Sequence, residues 1–152
     1  MPGQVSTHPF IFTVGYEGLS ISDFTEKLKD SGISFLVDVR EIPLSRKKGF
    51  SKSKLAEYLN DHNIGYMHLR DLGSPKELRK KLKEDGDYPY FFNEFSKYVR
   101  TKKEAIEQLY SVVSEEKCCI MCFEKEPENC HRSIVADEIK RRDGNGLVIK
   151  HL

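Results

Sequence analysis

The residues best equipped for chemistry lie between Cys118 and Arg132, in the stretch CCIMCFEKEPENCHR. Its apolar start, Cys118 to Phe123, reads as a buried strand, and a helix is expected to open around Cys130-His131-Arg132. Two thiols, an imidazole, a guanidinium and the Glu124 carboxylate therefore meet where a strand ends and a helix begins. A cysteine at a helix start faces unpaired amide donors and the positive end of the dipole, which lower a thiol pKa. With Arg132 beside it, Cys130 is a candidate nucleophile, and Cys122 shares its site. The competing reading makes Cys130 a small buried hydrophobe at a tight junction.

The same residues allow two other chemistries. Cys119, Cys122, Cys130, His131 and His68 include enough soft donors for zinc. Strand geometry argues against the x₂ pair, because residues three apart on a strand point to opposite faces. Cys118 and Cys122 share a face but stand about 13 Å apart at ~3.3 Å per residue. A disulfide between Cys122 and Cys130 is sterically open if the loop folds back, without the C-x-x-C spacing of common redox couples. No cofactor is evident from the motifs, and zinc stays an option.

Further polar groups are expected at other strand ends. Gly15-Tyr16-Glu17-Gly18 closes the first apolar run, Asp38 and Arg40 close the second, and His68 ends a third. Asp38 and Arg40 flank Val39 and point to one side. They read either as a structural ion pair or as an acid–base group beside an anion-holding guanidinium. The segment Ser45 to Lys54 carries five cations, no acid and one aromatic, Phe50. Such a loop binds phosphates and stacks on bases, or it is a solvated loop anchored by its phenylalanine.

These groups must be positioned by alternating elements. Strands are expected at 10–14, 33–39, 66–69, 118–123 and 147–150, with helices after Ser20, from about Ser53, at 76–83, after Gly86, after Thr101 and at 131–142. Thr101 with Glu104 has the form of a capping box. Alternation of strands and helices implies right-handed crossovers and an α/β fold: a mainly parallel sheet of about five strands with helices on both faces. Residues 1–9 are expected as a flexible leader and 10–152 as one domain. Parallel strands would bring all the carboxyl ends, and their polar groups, to one edge. In open α/β sheets that edge is where ligands bind.

Composition narrows the classes. Lys and Arg number 25 against 24 Asp and Glu, a net charge of +1, so any attraction to nucleic acid must come from a local patch. Charged residues at 32% and hydrophobic ones at 38% give an ordinary globular balance. No apolar run reaches the ~18 residues of a membrane span. The polar start, Met1 to His8, lacks the core of a secretory signal. Four cysteines gathered in the last third are expected as reduced thiols in a cytoplasmic protein. Neither a Walker A motif, a Rossmann glycine fingerprint nor HExxH occurs.

Taken together, Val14-Gly15-Tyr16-Glu17-Gly18, Val37-Asp38-Val39-Arg40 with Pro43, Ser45-Arg46, Gly49-Phe50-Ser51, Leu72-Gly73 and Cys122-Phe123-Glu124-Lys125 followed by Cys130-His131-Arg132 resemble the DUF488 family over roughly residues 11 to 141. The resemblance implies a shared polar site at these positions, with nucleotide or nucleic-acid processing as its suggested use. Asp38-Val39-Arg40-Glu41 and Cys130-His131-Arg132-Ser133 also resemble rhodanese fragments. The compact rhodanese loop, with cysteine opening an anion cradle of about six residues, is absent.

The reading that joins these signals is a protein acting on a phosphate-bearing ligand, a nucleotide or nucleic acid. Arg40, Arg46 and Arg132 would hold the anion, and Tyr16 or Phe50 would stack. Glu17, Asp38 or Glu124 would serve as acid or base, with Cys130 as nucleophile and Gly15, His68, Cys122 and His131 completing the site. Its rivals are a non-catalytic nucleic-acid-binding module built on the 45–54 loop, and a thiol (sulfur-transfer or redox) or zinc protein built on Cys122, Cys130 and His131. Oligomeric state and catalysis are left open.

Overall fold

In the computed structural model, residues 9–152 are described. The expected leader lies almost wholly outside them. Five strands form one sheet in the order β3-β2-β4-β1-β5. They are β1 (Phe10–Gly15), β2 (Phe35–Asp38), β3 (Gly65–His68), β4 (Cys118–Cys122) and β5 (Val148–His151). All four pairings are parallel, with Gly15 opposite Cys122 and Asp38 opposite Met121. The helices are α1 (Ile21–Asp30), α2 (Lys52–Asn60), α3 (Lys76–Asp85), α4 (Tyr88–Arg100), α5 (Lys103–Glu115) and α6 (Arg132–Arg142).

Helices cover both faces, because the strands are apolar on both sides. On one face Phe12, Val14, Leu36, Cys119 and Met121 pack with Phe24 and Leu28 of α1 and Leu55 and Leu59 of α2. On the other, Ile11, Val37, Cys118, Ile120 and Cys122 pack with α4, α5 and α6 through Phe95, Leu109, Val135 and Ile139. Alternation along β4 thus separates Cys119 from Cys122, as period-two geometry requires. Helix α1 starts where Ser20 accepts a hydrogen bond from the Asp23 amide at 3.0 Å.

The Thr101–Glu104 capping box does not form. Helix α5 is entered through Lys102 without a side-chain cap. The Thr101 hydroxyl instead donates to the Tyr98 carbonyl, closing the end of α4. One short loop joins α4 to α5, and a C-terminal carbonyl of α4 takes that hydroxyl.

Strand order creates the site. The chain leaves β1 and β2 for helices on one face and leaves the intervening β4 for α6 on the other. Adjacent strands whose connections diverge leave a crevice at their carboxyl ends.

Candidate functional site

The crevice holds a pocket of about 210 Å³ lined by groups from several loops. Tyr16 follows β1, Arg40 and Glu41 follow β2, Cys122 ends β4, and Phe123 and Glu124 follow it. His131 enters from the start of α6, and Ser74 and Arg79 from the region of α3. The strand ends are held in register by Tyr16 N–H to the Cys122 carbonyl, Glu17 N–H to Phe123, and Val39 N–H to Met121.

Arg132 organises the sulfur side. Its side chain is fully buried and is surrounded by acceptors. Nε donates to Thr13 Oγ1 at 3.1 Å, one terminal nitrogen donates to the Glu124 carbonyl and to Cys122 Sγ, and the other reaches the Lys125 carbonyl at 3.1 Å. Burial lowers its pKa, and the surrounding acidic groups work against that. Every face of the guanidinium therefore serves to pin the 122–125 turn onto β1. Gly15 makes this approach possible: a Cβ there would fall inside the Glu124 carbonyl. Gly73 plays the matching role at the opposite rim, where a Cβ would strike the Glu41 backbone.

Cys122 and Cys130 meet over that turn. Their Cα atoms are 7.3 Å apart, and their sulfurs lie at bonding distance as a disulfide. Reduced thiols throughout were the expectation from composition. The structure instead pairs these two and leaves Cys118 and Cys119 as buried free thiols, because the 123–129 loop folds back over the strand end. Cys122 Sγ lies 3.4 Å from the Arg132 guanidinium and 3.5 Å from Glu124 Oε2. Cys130 Sγ accepts the Arg132 amide at 3.4 Å, just ahead of α6. Desolvation raises the Glu124 pKa, opposed by its backbone hydrogen bond and by Arg132.

His131 has one fixed role for each ring nitrogen. Nε2 lies 2.7 Å from the Val39 carbonyl, which accepts only, so Nε2 carries the proton. Burial pushes the pKa down to about 4, and the neutral ring leaves Nδ1 as a lone pair 3.8 Å from Cys130 Sγ. Phe95 supports the ring edge-on at 5.3 Å. The ligand atoms of Cys122, Cys130 and His131 all lie within 4.8 Å of one another.

The other side of the pocket is a charged network. Arg40 forks onto Asp38 through Nε at 2.9 Å and a terminal nitrogen at 2.7 Å, and its remaining nitrogen donates to the Tyr16 hydroxyl at 3.2 Å. Tyr66 donates to the same carboxylate at 2.6 Å, and burial together with Asp38 raises its pKa far above the usual range. Asp38 is wholly buried and lies outside the pocket lining.

The remaining expected site residues fall elsewhere. Phe50 is fully buried, stacked on Tyr16 at 4.4 Å and edge-on to Phe24, where it anchors the basic loop. His68 donates to the Arg40 carbonyl at 2.7 Å from the sheet's edge strand, away from the sulfur cluster. Glu17 is exposed and accepts the Lys125 amide at 2.9 Å. Arg46 is exposed on the loop. Conversely, the pocket includes Arg79 and Ser74, which the sequence did not single out, and Phe123, which it marked only within the family motif. Arg79 pairs with Glu41 at 2.9 Å and donates to the Ser74 carbonyl. In the sequence it is one cation among several on a basic helix, with nothing local to mark it.

The model of the family described as domain of unknown function DUF488 matches residues 20–139. The chain belongs to the DUF488 family. No curated protein and no solved structure matches it. In this DUF488 chain the matched region spans α1 to α6 and includes the Cys/Cys/His cluster, Arg40 and the basic loop. No helix among the described residues is long and apolar enough to cross a membrane.

Proposed function

We propose that this DUF488 protein is a thiol enzyme in which Cys122 and Cys130 cycle between dithiol and disulfide beneath the pocket at the carboxyl edge of the sheet. The observation that carries the reading is the meeting of the two sulfurs, one of which lines the pocket. Cys122 is the attacking group, since it faces the ligand space with a guanidinium on one side and a carboxylate on the other. Its thiolate attacks a disulfide sulfur of the substrate and expels one thiolate, which takes up a proton. Cys130 then attacks Cys122 Sγ, releasing the second substrate thiol and closing the internal bond. Two electrons pass to the substrate, and a small dithiol or a pair of thiols returns them to the protein. This assigns Cys130, expected as the nucleophile, the resolving step.

The test is to mix reduced protein with a small-molecule disulfide and read the products by mass. Wild-type protein should end with the Cys122–Cys130 bond, and Cys130→Ser should stop at a mixed disulfide on Cys122. A wild-type pair that neither closes nor reopens under thiol exchange would sink the reading.

A second reading, binding of a phosphate-bearing ligand such as a nucleotide or nucleic acid, is favoured by the surface beside the pocket. Arg46, Lys48, Lys52 and Lys54 are exposed and form no ion pair with a described residue. Ile42, Leu44 and Phe123 are exposed close by. Arg40 and Arg132 contribute less, being committed to Asp38 and to backbone carbonyls. Binding to single-stranded oligonucleotides that falls steeply with salt supports this reading; absence of binding at low salt removes it.

A further inference from the structure

The cluster that closes as a disulfide also has the donor set of a metal centre, which goes beyond the thiol couple while using the same two sulfurs. We propose that the reduced protein binds one zinc ion through Cys122 Sγ, Cys130 Sγ and His131 Nδ1, with the fourth position open to the pocket.

Three observations lead there. The first is distance. On a tetrahedral zinc with bonds of about 2.0–2.3 Å, ligand atoms stand roughly 3.3–3.8 Å apart. Nδ1 already lies 3.8 Å from Cys130 Sγ, and all three donor atoms fall within 4.8 Å. The Cys122 and Cys130 Cα atoms, at 7.3 Å, are wider apart than the ~4.4–6.8 Å usual across a disulfide. Two side chains reaching across that span have room for an ion between them once the bond is open.

The second is the tautomer. A metal-binding histidine presents one unprotonated nitrogen and donates the other ring N–H to a fixed acceptor, which sets the ring's orientation. His131 does this: Nε2 donates to Val39, and Nδ1 points at the sulfurs as a bare lone pair. A lone pair in a buried place normally has a donor. Among the described residues the hydrogen-bonding neighbour of Nδ1 is Cys130 Sγ, which even when reduced is a weak donor.

The third is support for thiolate. Each sulfur has an N–H from Arg132, the guanidinium on Cys122 and the main-chain amide on Cys130, both at 3.4 Å. One positive residue thus stabilises both anionic ligands. His131 and Cys122 line the pocket with Glu124, so the vacant coordination position would face a ligand, the arrangement of catalytic rather than structural zinc.

The exchange between the two states balances. A dithiol reductant gives two electrons and two protons to the Cys122–Cys130 bond and is itself oxidised to a disulfide. Zinc then displaces the two thiol protons. Metal-bound and disulfide forms exclude one another, because the same sulfur lone pairs make both sets of bonds.

Cobalt(II) titration of the full chain tests this. Protein reduced with a phosphine and freed of reductant should take up one cobalt per chain, with thiolate charge-transfer bands and the intense visible bands of a tetrahedral site, and zinc should bleach both. The oxidised protein should show neither spectrum, and this comparison needs no mutation. Cys122→Ser and His131→Gln should each weaken binding by about 100-fold or more, since even removing an outer partner of a ligand costs 10–100-fold. The Cys118→Ala, Cys119→Ala double variant should keep the full spectrum. Reduced protein that takes up no cobalt overturns the metal site. Retention of the spectrum in oxidised protein or in Cys122→Ser overturns it equally, because the ion would then sit elsewhere. Thiol counts on the same samples report separately whether the disulfide opens and closes, so failure of the redox reading is visible on its own.

Discussion

The two ends of β4 hold the same residue type at the same burial and differ in what surrounds it. At the amino end Cys118 and Cys119 are 0% exposed, on opposite faces of the sheet, among aliphatic and aromatic side chains. Burial drives both thiols far above the usual range. Four residues on, Cys122 is 1% exposed yet meets a guanidinium, a carboxylate and a second sulfur. The comparison teaches that burial does not decide whether a cysteine is inert. A parallel sheet sends its polar loops to the carboxyl edge, and the partners found there decide it.

The sharpest way to break the comparison is differential alkylation of the reduced native protein. Cys122 should react at least about a thousandfold faster than Cys118 and Cys119, which become accessible only through opening of the core, a process costing several kcal/mol. Equal rates read by peptide mapping would mean that the two ends do not differ.

Arg132→Met comes next, because it removes the group that gives the carboxyl end its character. The Glu124 and Lys125 carbonyls would lose their donor, at roughly 1–3 kcal/mol each if left unpaired. Urea denaturation should show a loss of about 3 kcal/mol, and Cys122 alkylation should slow. A variant as stable as wild type would show that the turn does not depend on the guanidinium.

Gly15→Ala forces a methyl group against the same turn from the other side. Overpacking of this kind costs ~1–3 kcal/mol, read as a lower thermal midpoint with the oxidised pair harder to form. Gly18→Ala, where a Cβ meets open space, separates the local clash from a general effect of losing glycine, although its φ of +81° adds backbone strain of its own.

The amino end has its own signature in alkali. The unfolded thiols ionise near 9.0, whereas the folded ones hold their protons. The unfolded state therefore binds fewer protons above pH 9, and stability falls as pH rises, by ~1.4 kcal/mol per pH unit for each thiol. Cys118→Ala should flatten that slope by one thiol's share when denaturation is followed from pH 8 to 10. An unchanged slope would place the titration elsewhere.

The smallest effect belongs to the basic loop. Lys48→Ala with Lys52→Ala should change stability by less than about 0.5 kcal/mol, as exposed positions do. Any loss of oligonucleotide binding would then be a direct effect of charge, visible as a shallower dependence on salt.

Much of this was legible in advance, for local reasons. Apolar runs bounded by glycine and asparagine mark the strands, and their alternation with amphipathic stretches implies parallel pairing. Period two along Cys118–Cys122 separates Cys119 from Cys122 without any knowledge of the fold. The polar groups after β1, β2 and β4 belong together because parallel strands share one carboxyl edge. Phe50 shows where such reading ends: an aromatic in a basic loop looks the same whether it stacks on a ligand or, as here, between Tyr16 and Phe24. The Thr101 hydroxyl is a similar case: it could accept an amide at the start of α5 or donate to a carbonyl of α4, and the end of α4 takes it.

By itself, then, the sequence determined the α/β class, the parallel sheet and the edge where chemistry would collect, since these follow from short-range periodicity and strand direction. Only the tertiary structure decided what those residues do there. Arg132 reaches Thr13 across 119 positions, and His131 reaches Val39 across 92. Those contacts depend on β4 lying between β2 and β1, and nothing local to either partner encodes that strand order. It turns Arg132 from an anion-binding group into the anchor of a turn, frees one nitrogen of His131, and brings Cys130 onto Cys122.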